Sequence, residues 1–533
     1  MQNQGRRDFL KTVALTPLAL GATKSAFAEK PSKKKDEIAE PAPSVSLDTL
    51  AFSRISFGPN SVSEDQYHDL GKSPEKRFEK YVELQLHPEA IADDACLLRI
   101  VALNLKTLSQ DSKSLWKAHV SDVEALKPEM KKEENKLRQQ PAQEVEQAAW
   151  VRAIYSERQL NERMAYFWHN HFNVYPWDGK IPATFVQFDR DVIRRHLFGN
   201  FREFIEAVTK SPAMLQYLDN FTNQSGNPNE NYARELFELH TLGAENYLGT
   251  MDRKNVSGFA QGHPIGYVDG DVYEAARCLT GWRMTNGEFE YFEGWHDRFQ
   301  KIVLGNAIKE YQPEMKDGHD VLDLLANHPG TARFIARKLC RHFVADQPQD
   351  SLVEKVAKVF HESRKEKDQI RRTVRAVLLS EEFKQSWGQK VKRPFEHTVS
   401  ILRASEAEFT PTDAFIRNHE RTGERLFSWR TPDGPPDQKE KWLGANALLE
   451  RWRITNFIFS GQHPEIRIPA LEIGKEKINS LVHLAAWEKR LLAFPLSATA
   501  RGKILEFSGV ASDEARLRMS VALLSMSAEA QWR

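Results

Sequence analysis

VRAIYSERQLNERMAYFWHNHF, residues 151–172, places Leu160, Met164, Phe167, Trp168, His171 and Phe172 at steps of three and four. That spacing marks one face of an α-helix, whose side chains repeat about every 3.6 residues. Thr331 to Val344 repeats the pattern with Ala332, Ile335, Leu339 and His342/Phe343. Pro329 stands just ahead of it, where a first helical turn has no use for an N–H. Strand-like alternation is scarce. The expected fold is therefore all-α: one large multi-helix domain with long loops, or two helical lobes meeting near residues 310–325. Asn306 to His319 has the composition of a connection. Residues 119–148, dense in Glu, Lys and Gln, read as an exposed helical excursion. Residues 243–272 and 405–441 are rich in Gly, Asn, Asp and Pro and read as long loops, the usual seat of function on a helical scaffold.

Composition narrows the class. Across 533 residues, 75 Lys and Arg balance 74 Asp and Glu, so no basic excess points to nucleic acid. With 27 Gly and 25 Pro the chain is poor in both for an all-β or a disordered protein. No interior stretch approaches the roughly 18 to 20 apolar residues of a membrane span. Cys96, Cys278 and Cys340 are odd in number and widely spaced, which argues against a disulfide framework and a thiolate zinc site.

The first residues give an address. Arg6-Arg7, the apolar run Val13 to Ala22 and the small-x-small site Ala26-Phe27-Ala28 read as a twin-arginine signal peptide over residues 1–28. Residues 29–46, with Lys33 to Lys35, Pro31, Pro41 and Pro43, read as a charged linker. Residues 47–533 form the helical domain. The route implies export in the folded state, to the periplasm or beyond.

Chemistry-bearing residues fall in clusters. In Tyr166 to Phe172, His169 and His171 point about 200° apart on a helix, so both reach one ion only if the helix ends between them. Asn227 as N-cap, Pro228 in the first turn and Glu230 three after the cap open a second helix. On it Asn231, Glu235 and Glu238 share one face, and His240 projects from the apolar face. Two inward carboxylates met by histidines from another helix would be a metal-site recipe. A solvated acidic face with core histidines is the plainer reading. Asp269 or Asp271 caps a third helix that Gly281 ends, and Arg277 and Trp282 could line a site. His296-Asp297, with Lys301 nearby, could orient an imidazole. Lys392-Arg393 with Glu396 could meet an anion or cap a helix. The GxSxG, GxxxxGK and HExxH devices are missing.

In this order the segments resemble the bacterial family called domain of unknown function 1800. The likeness rests on RISFGP (Arg54 to Pro59), FWHNHF (Phe167 to Phe172), NENYARELFELHTLG (Asn229 to Gly243), EAARCLTGW (Glu274 to Trp282), HPGTARFIARKLCRHFV (His328 to Val344), KRPFE (Lys392 to Glu396) and Pro435-Pro436. It spans about residues 47–533. The loop around 243–266 is longer than usual, and no Gly-Trp follows the prolines. The resemblance implies an exported helical protein, often encoded beside a second exported family, domain of unknown function 1501. It supplies no catalytic residues.

Two functions follow as expectations. One is an enzyme in which His169, His171, Glu235 and Glu238 hold a divalent transition metal, or Glu235, Glu238, His240, His296 and Asp297 do acid–base work. The other is a helical partner that docks the co-encoded exported protein through its long loops.

Overall fold

The computed structural model describes residues 45–472, 480–492, 494–509 and 513–533. The expected signal peptide and nearly all of the linker lie outside them. The fold is all-α. Strands among the described residues are confined to three two-stranded sheets: Trp282–Thr285 with Glu288–Tyr291, Lys301–Val303 with Asn306–Ile308, and Glu408–Phe409 with Ile466–Arg467. No helix of the described residues is long and apolar enough to cross a membrane.

The stretch 151–172 is helical at both ends but broken in the middle. One helix, Lys131–Tyr155, stops at Ser156, and a second, Gln159–Phe172, follows. The break is fixed by partners far away in sequence. Asp93 accepts from the Ser156 hydroxyl at 2.9 Å and the Glu157 N–H at 3.0 Å. Arg403 Nη1 takes the carbonyls of Ile154 (2.7 Å) and Ser156 (3.2 Å). Carbonyls freed at a helix end need such donors. Pro141, inside the first helix, leaves the Leu137 carbonyl without its helical donor, and the His119 ring N–H supplies one at 2.7 Å. The excursion expected at 119–148 is exposed only in its first half. Ala142, Val145 and Ala148 are buried, and Glu144 and Glu146 with them.

Among the described residues four short stretches wind as π-helix: Ala51–Ile55, Lys117–Ser121, Phe188–Ile193 and Leu236–Thr241. The helix expected to start at Asn227 starts at Asn231. Asn229 caps it, its side-chain oxygen accepting from the Asn231 N–H at 3.0 Å, while Asn223 holds the Asn229 N–H at 2.9 Å.

The described residues form two large hydrophobic cores and a small cluster of Trp116, Val120 and Ala183. The first runs from Leu50 to Phe383; the second gathers Phe57, Trp150, Ile154 and Tyr166 with residues 395–530. Val321, Leu322 and Leu325 lie within the first core, so the cores do not divide near 310–325. The helix Lys316–Asn327 buries its apolar face in that core instead of bridging two. The helices around 131–172 contribute to both cores and join them.

Between the cores lies a buried ionic cluster. Glu396 (1% exposed) pairs with Arg163 (1%) and with Arg533 (0%) at 3.2 Å. Its second oxygen accepts the Arg393 N–H at 2.8 Å, opening the helix Pro394–Ala404. The two guanidiniums hold the Glu396 carboxyl well below the usual carboxylate range despite its burial. Removing one member of a buried pair leaves an uncompensated charge. Glu396→Gln is expected to lower stability by about 3–5 kcal/mol in urea denaturation. A change within about 0.5 kcal/mol would show that the cluster does not hold the cores together.

Candidate functional site

The residues of Tyr166 to Asn173 separate into distinct surroundings. His169 donates from Nε2 to Asp189 Oδ1 at 2.9 Å. Asp189 sits on the π-turn Phe188–Ile193 and also accepts from Arg194 Nε at 2.9 Å, and Arg194 reaches Glu162 at 3.0 Å. Burial pushes the His169 imidazolium pKa down against the pull of Asp189, so the ring is neutral near pH 7. With Nε2 carrying the proton, Nδ1 keeps the lone pair. The Phe427 ring lies against this imidazole, centroids 4.6 Å apart.

His171 turns the other way. Its Nε2 faces the His240 carbonyl at 3.3 Å, and the two rings are 6.1 Å apart. His240 is 0% exposed and both of its ring nitrogens lack partners, as does His171 Nδ1. Burial lowers the His240 pKa to about 3. The π-turn Leu236–Thr241 carries His240 inward, while Glu235 and Glu238 stay half-buried on the outer side. Burial, then the neighbouring Glu238, push Glu235 up to about 7. The expected ligand set His169, His171, Glu235 and Glu238 is thus spread over separate surroundings. Among the described residues no group of three or more His, Cys, Asp or Glu side chains is placed to hold a metal ion.

His296 and Asp297 serve the hairpins. Asp297 pairs with Arg277 Nε at 2.9 Å, not with His296. His296 Nε2 lies 3.3 Å from Asp317, which also takes Lys301 Nζ at 2.6 Å. These contacts tie the helix Asp269–Cys278 to the strands after it. Asp271, as expected, caps that helix, accepting the Val268 N–H at 3.1 Å.

A cavity of about 250 Å³ opens where three distant segments meet: Tyr166, Asn170 and Asn173; Arg393; and the stretch from Glu420 to Trp442. Arg393 lies between two rings, 4.9 Å from the centroid of Tyr166 and 5.0 Å from that of Trp442. Beneath it Glu424 accepts from Arg393 Nη2 (2.8 Å), the Tyr166 hydroxyl (2.6 Å) and the Phe395 N–H (2.9 Å). Arg425 is held by Glu146 at 2.9 Å and stacks on Trp177. Each cation of the wall is matched by a carboxylate, so the cavity favours a neutral polar ligand. Phe427, part of the wall, has φ +58°, a left-handed conformation that strains a bulky side chain. Asn173 holds the loop by donating to the Trp429 and Thr431 carbonyls at 3.0 and 2.6 Å. Gly434 (φ +72°) packs so close to the Asn170 carbonyl that a Cβ would lie 2.1 Å from it. Trp429 Nε1 donates to Asp433 at 3.0 Å, and Asp433 lies within electrostatic reach of Glu235.

The site therefore has a cavity, a His–Asp pair behind Phe427, and the Glu235 carboxyl, pushed up to about 7 within electrostatic reach of Asp433 in the same loop. Sequence reasoning named His169, Glu235 and Arg393 and singled out the 405–441 loop. It missed Asp189, Glu424 and Phe427. A signal for Glu424 was present: Gly423-Glu424-Arg425 is a charged run inside a loop already marked for function.

His171, His240, His342 and His397 are all held well below their ordinary pKa by burial, and His419 is lowered to about 4. Unfolded histidines take up protons below about pH 6.5 and these folded ones do not, so stability present above that pH is lost as pH falls. Glu146 and Glu235, both pushed up to about 7, work in the opposite sense, costing stability as pH rises toward 7, but they are two groups against five. Each histidine is worth up to about 1.4 kcal/mol per pH unit. The melting temperature is expected to be several degrees lower at pH 5.5 than at pH 7.5, with a shallower fall in His240→Asn. Equal melting at both pH values would contradict this account.

A family model described as protein of unknown function (DUF1800) matches residues 50–532. No curated protein and no solved structure matches the chain.

Proposed function

The chain belongs to that DUF1800 family, and from its site we propose that it is an acid–base enzyme acting on a small, neutral, polyhydroxylated substrate. The observation that carries the reading is the convergence of residues 166–173, 393 and 420–442 on one aromatic and polar cavity. The indole face of Trp429 suits the C–H face of a ring, and the Asn170 amide and Arg393 suit its hydroxyls. His169, neutral and oriented by Asp189, is the general base. Glu235, protonated up to about pH 7, is the general acid. Two titratable groups pushed apart in this way can divide the roles at one pH. The strained Phe427 stands between His169 and the cavity, and its displacement on binding would join them. Export through the twin-arginine route is part of the same proposal and rests on Arg6-Arg7 and the residues that follow. Titration of the protein with neutral monosaccharides should quench its tryptophan fluorescence. Trp429→Ala should weaken that binding at least about tenfold. His169→Gln and Glu235→Gln should bind normally and lose turnover of the sugar that binds. Absence of quenching across the panel, or full turnover in both variants, would overturn the reading.

A second reading has its own observation. The short helix Asp94–Ala102 exposes Leu97, Leu98 and Val101 to 52%, 69% and 73%, an apolar face that no described residue covers. It would suit a co-encoded exported protein of the domain of unknown function 1501 family. On that reading Leu98→Asp with Val101→Asp abolishes co-purification with this partner and leaves melting unchanged. Unaltered co-purification would remove the face from consideration.

A further inference from the structure

The pair Lys392-Arg393, just ahead of the helix Pro394–Ala404, sends its two cations to different places. Arg393 meets Glu424. Lys392 lines a second cavity, of about 30 Å³, which shares no lining residue with the one at Tyr166. It is 9% exposed, and its ammonium has no hydrogen-bond or ion-pair partner among the described residues. The other two buried lysines among these residues are held, Lys301 by Asp317 and Lys390 by Asp346. Ser53, on the π-turn Ala51–Ile55, lines the same cavity, and its hydroxyl oxygen is buried without a partner. Phe52, Trp387 and Trp532 supply apolar wall. The volume is room for about two waters, or for one carboxylate head in their place.

Backbone pairing fixes the arrangement. Lys392 donates its N–H to the Gln531 carbonyl at 2.8 Å, and Arg533 donates its own to the Lys390 carbonyl at 2.9 Å. Val391 bridges Trp532 between them. The Gln531 side chain accepts from Arg451 Nη1 at 3.0 Å. Arg451 and Arg533 each keep two buried nitrogens without partners. Lys392 is thus gathered with Arg163, Arg451 and Arg533, with Glu396 as the carboxylate among them. His397, on the helix that follows, is neutral near pH 7 and adds no charge. On the cavity wall Arg490 is balanced by Glu529. The positive excess therefore sits at Lys392, beside a space that an anion can enter.

We propose that this cavity binds a small monovalent carboxylate of about the size of acetate. Its oxygens accept from the Lys392 ammonium and the Ser53 hydroxyl, and its alkyl group packs against Trp387 and Trp532. Glu529 disfavours dianions, and the volume excludes long chains. The ligand gives a buried cation its counter-charge, so binding stabilises the fold.

Sodium acetate is the probe, with ionic strength held constant by sodium chloride. Saturation transfer from the protein to the acetate methyl should report binding at pH 7. Lys392→Met should weaken binding at least about tenfold, and Ser53→Ala about threefold. Burial lowers the Lys392 ammonium to about 8, and only its protonated form attracts the anion. Affinity should therefore fall as pH rises from 7 to 9.5, where acetate itself stays ionised. Replacing chloride by acetate should raise the melting temperature of the parent protein and leave that of Lys392→Met unchanged. Trp429→Ala should bind acetate as the parent does, so failure of the Tyr166 cavity reading and failure of this one are told apart. Equal saturation transfer in the parent and both variants, or an affinity that does not change with pH, would overturn the proposal. An unchanged melting temperature when acetate replaces chloride would overturn the carboxylate class.

Discussion

Glu396, buried between Arg163 and Arg533, is the contact on which the two cores depend. Five arginines in the described residues are no more than 1% exposed: Arg54, Arg163, Arg403, Arg451 and Arg533. A guanidinium removed from water must find acceptors for its donors. Here most of those acceptors are backbone carbonyls left open where chain segments end. Arg54 reaches Phe343 and Val344 at the end of one helix and Ser386 beyond another. Arg163 takes Ser53 and Ser56, and Arg403 takes Gly58, Ile154 and Ser156. The charges that would be costly alone thereby fix how segments hundreds of residues apart meet. With one carboxylate balancing several cations, the arrangement tolerates few alternatives.

The candidate site is built on that frame. Tyr166 lies one turn beyond Arg163, and Arg393 precedes the helix that Glu396 opens. The ring and the guanidinium are therefore placed by the buried cluster, and the loop brings Glu424 to both of them. The loop is held by its own contacts: Asn173 to two carbonyls, Gly434 against the end of the helix, and Lys390 to Asp346 and to the Asp437 carbonyl. These constraints keep Phe427 in its left-handed conformation. Strain of that kind persists only where the surroundings over-determine it, and here it falls between a polar cavity and a neutral imidazole.

Much of this was readable from residues alone, and the exceptions share a cause. The period of Leu160, Met164 and Phe167 gave the helix Gln159–Phe172, and opposite directions for His169 and His171 followed from helix geometry. The break at Ser156 was not readable, because Asp93 and Arg403, which stabilise it, are far away in sequence. Asn227-Pro228 looked like a helix start, yet Asn223 and Asn229 capture the N–H groups that delay the start to Asn231. His296 next to Asp297 suggested a pair, but each has its own partner in Asp317 and Arg277. The division between lobes was misplaced because an amphipathic helix at Lys316–Asn327 shows that it is buried without showing in which core.

Residue type and local periodicity were enough to fix an all-α fold, its family, several helices and the segments where chemistry concentrates. Those properties depend on local periodicity and residue type, which a single chain displays. Packing between distant segments is what brings Tyr166, Arg393 and Glu424 to one cavity and sets Asp189 against His169. Those are contacts between residues tens to hundreds of positions apart. Their partners are chosen by the packing of the two cores and by the need of buried charges for acceptors, neither of which leaves a periodic trace in the sequence.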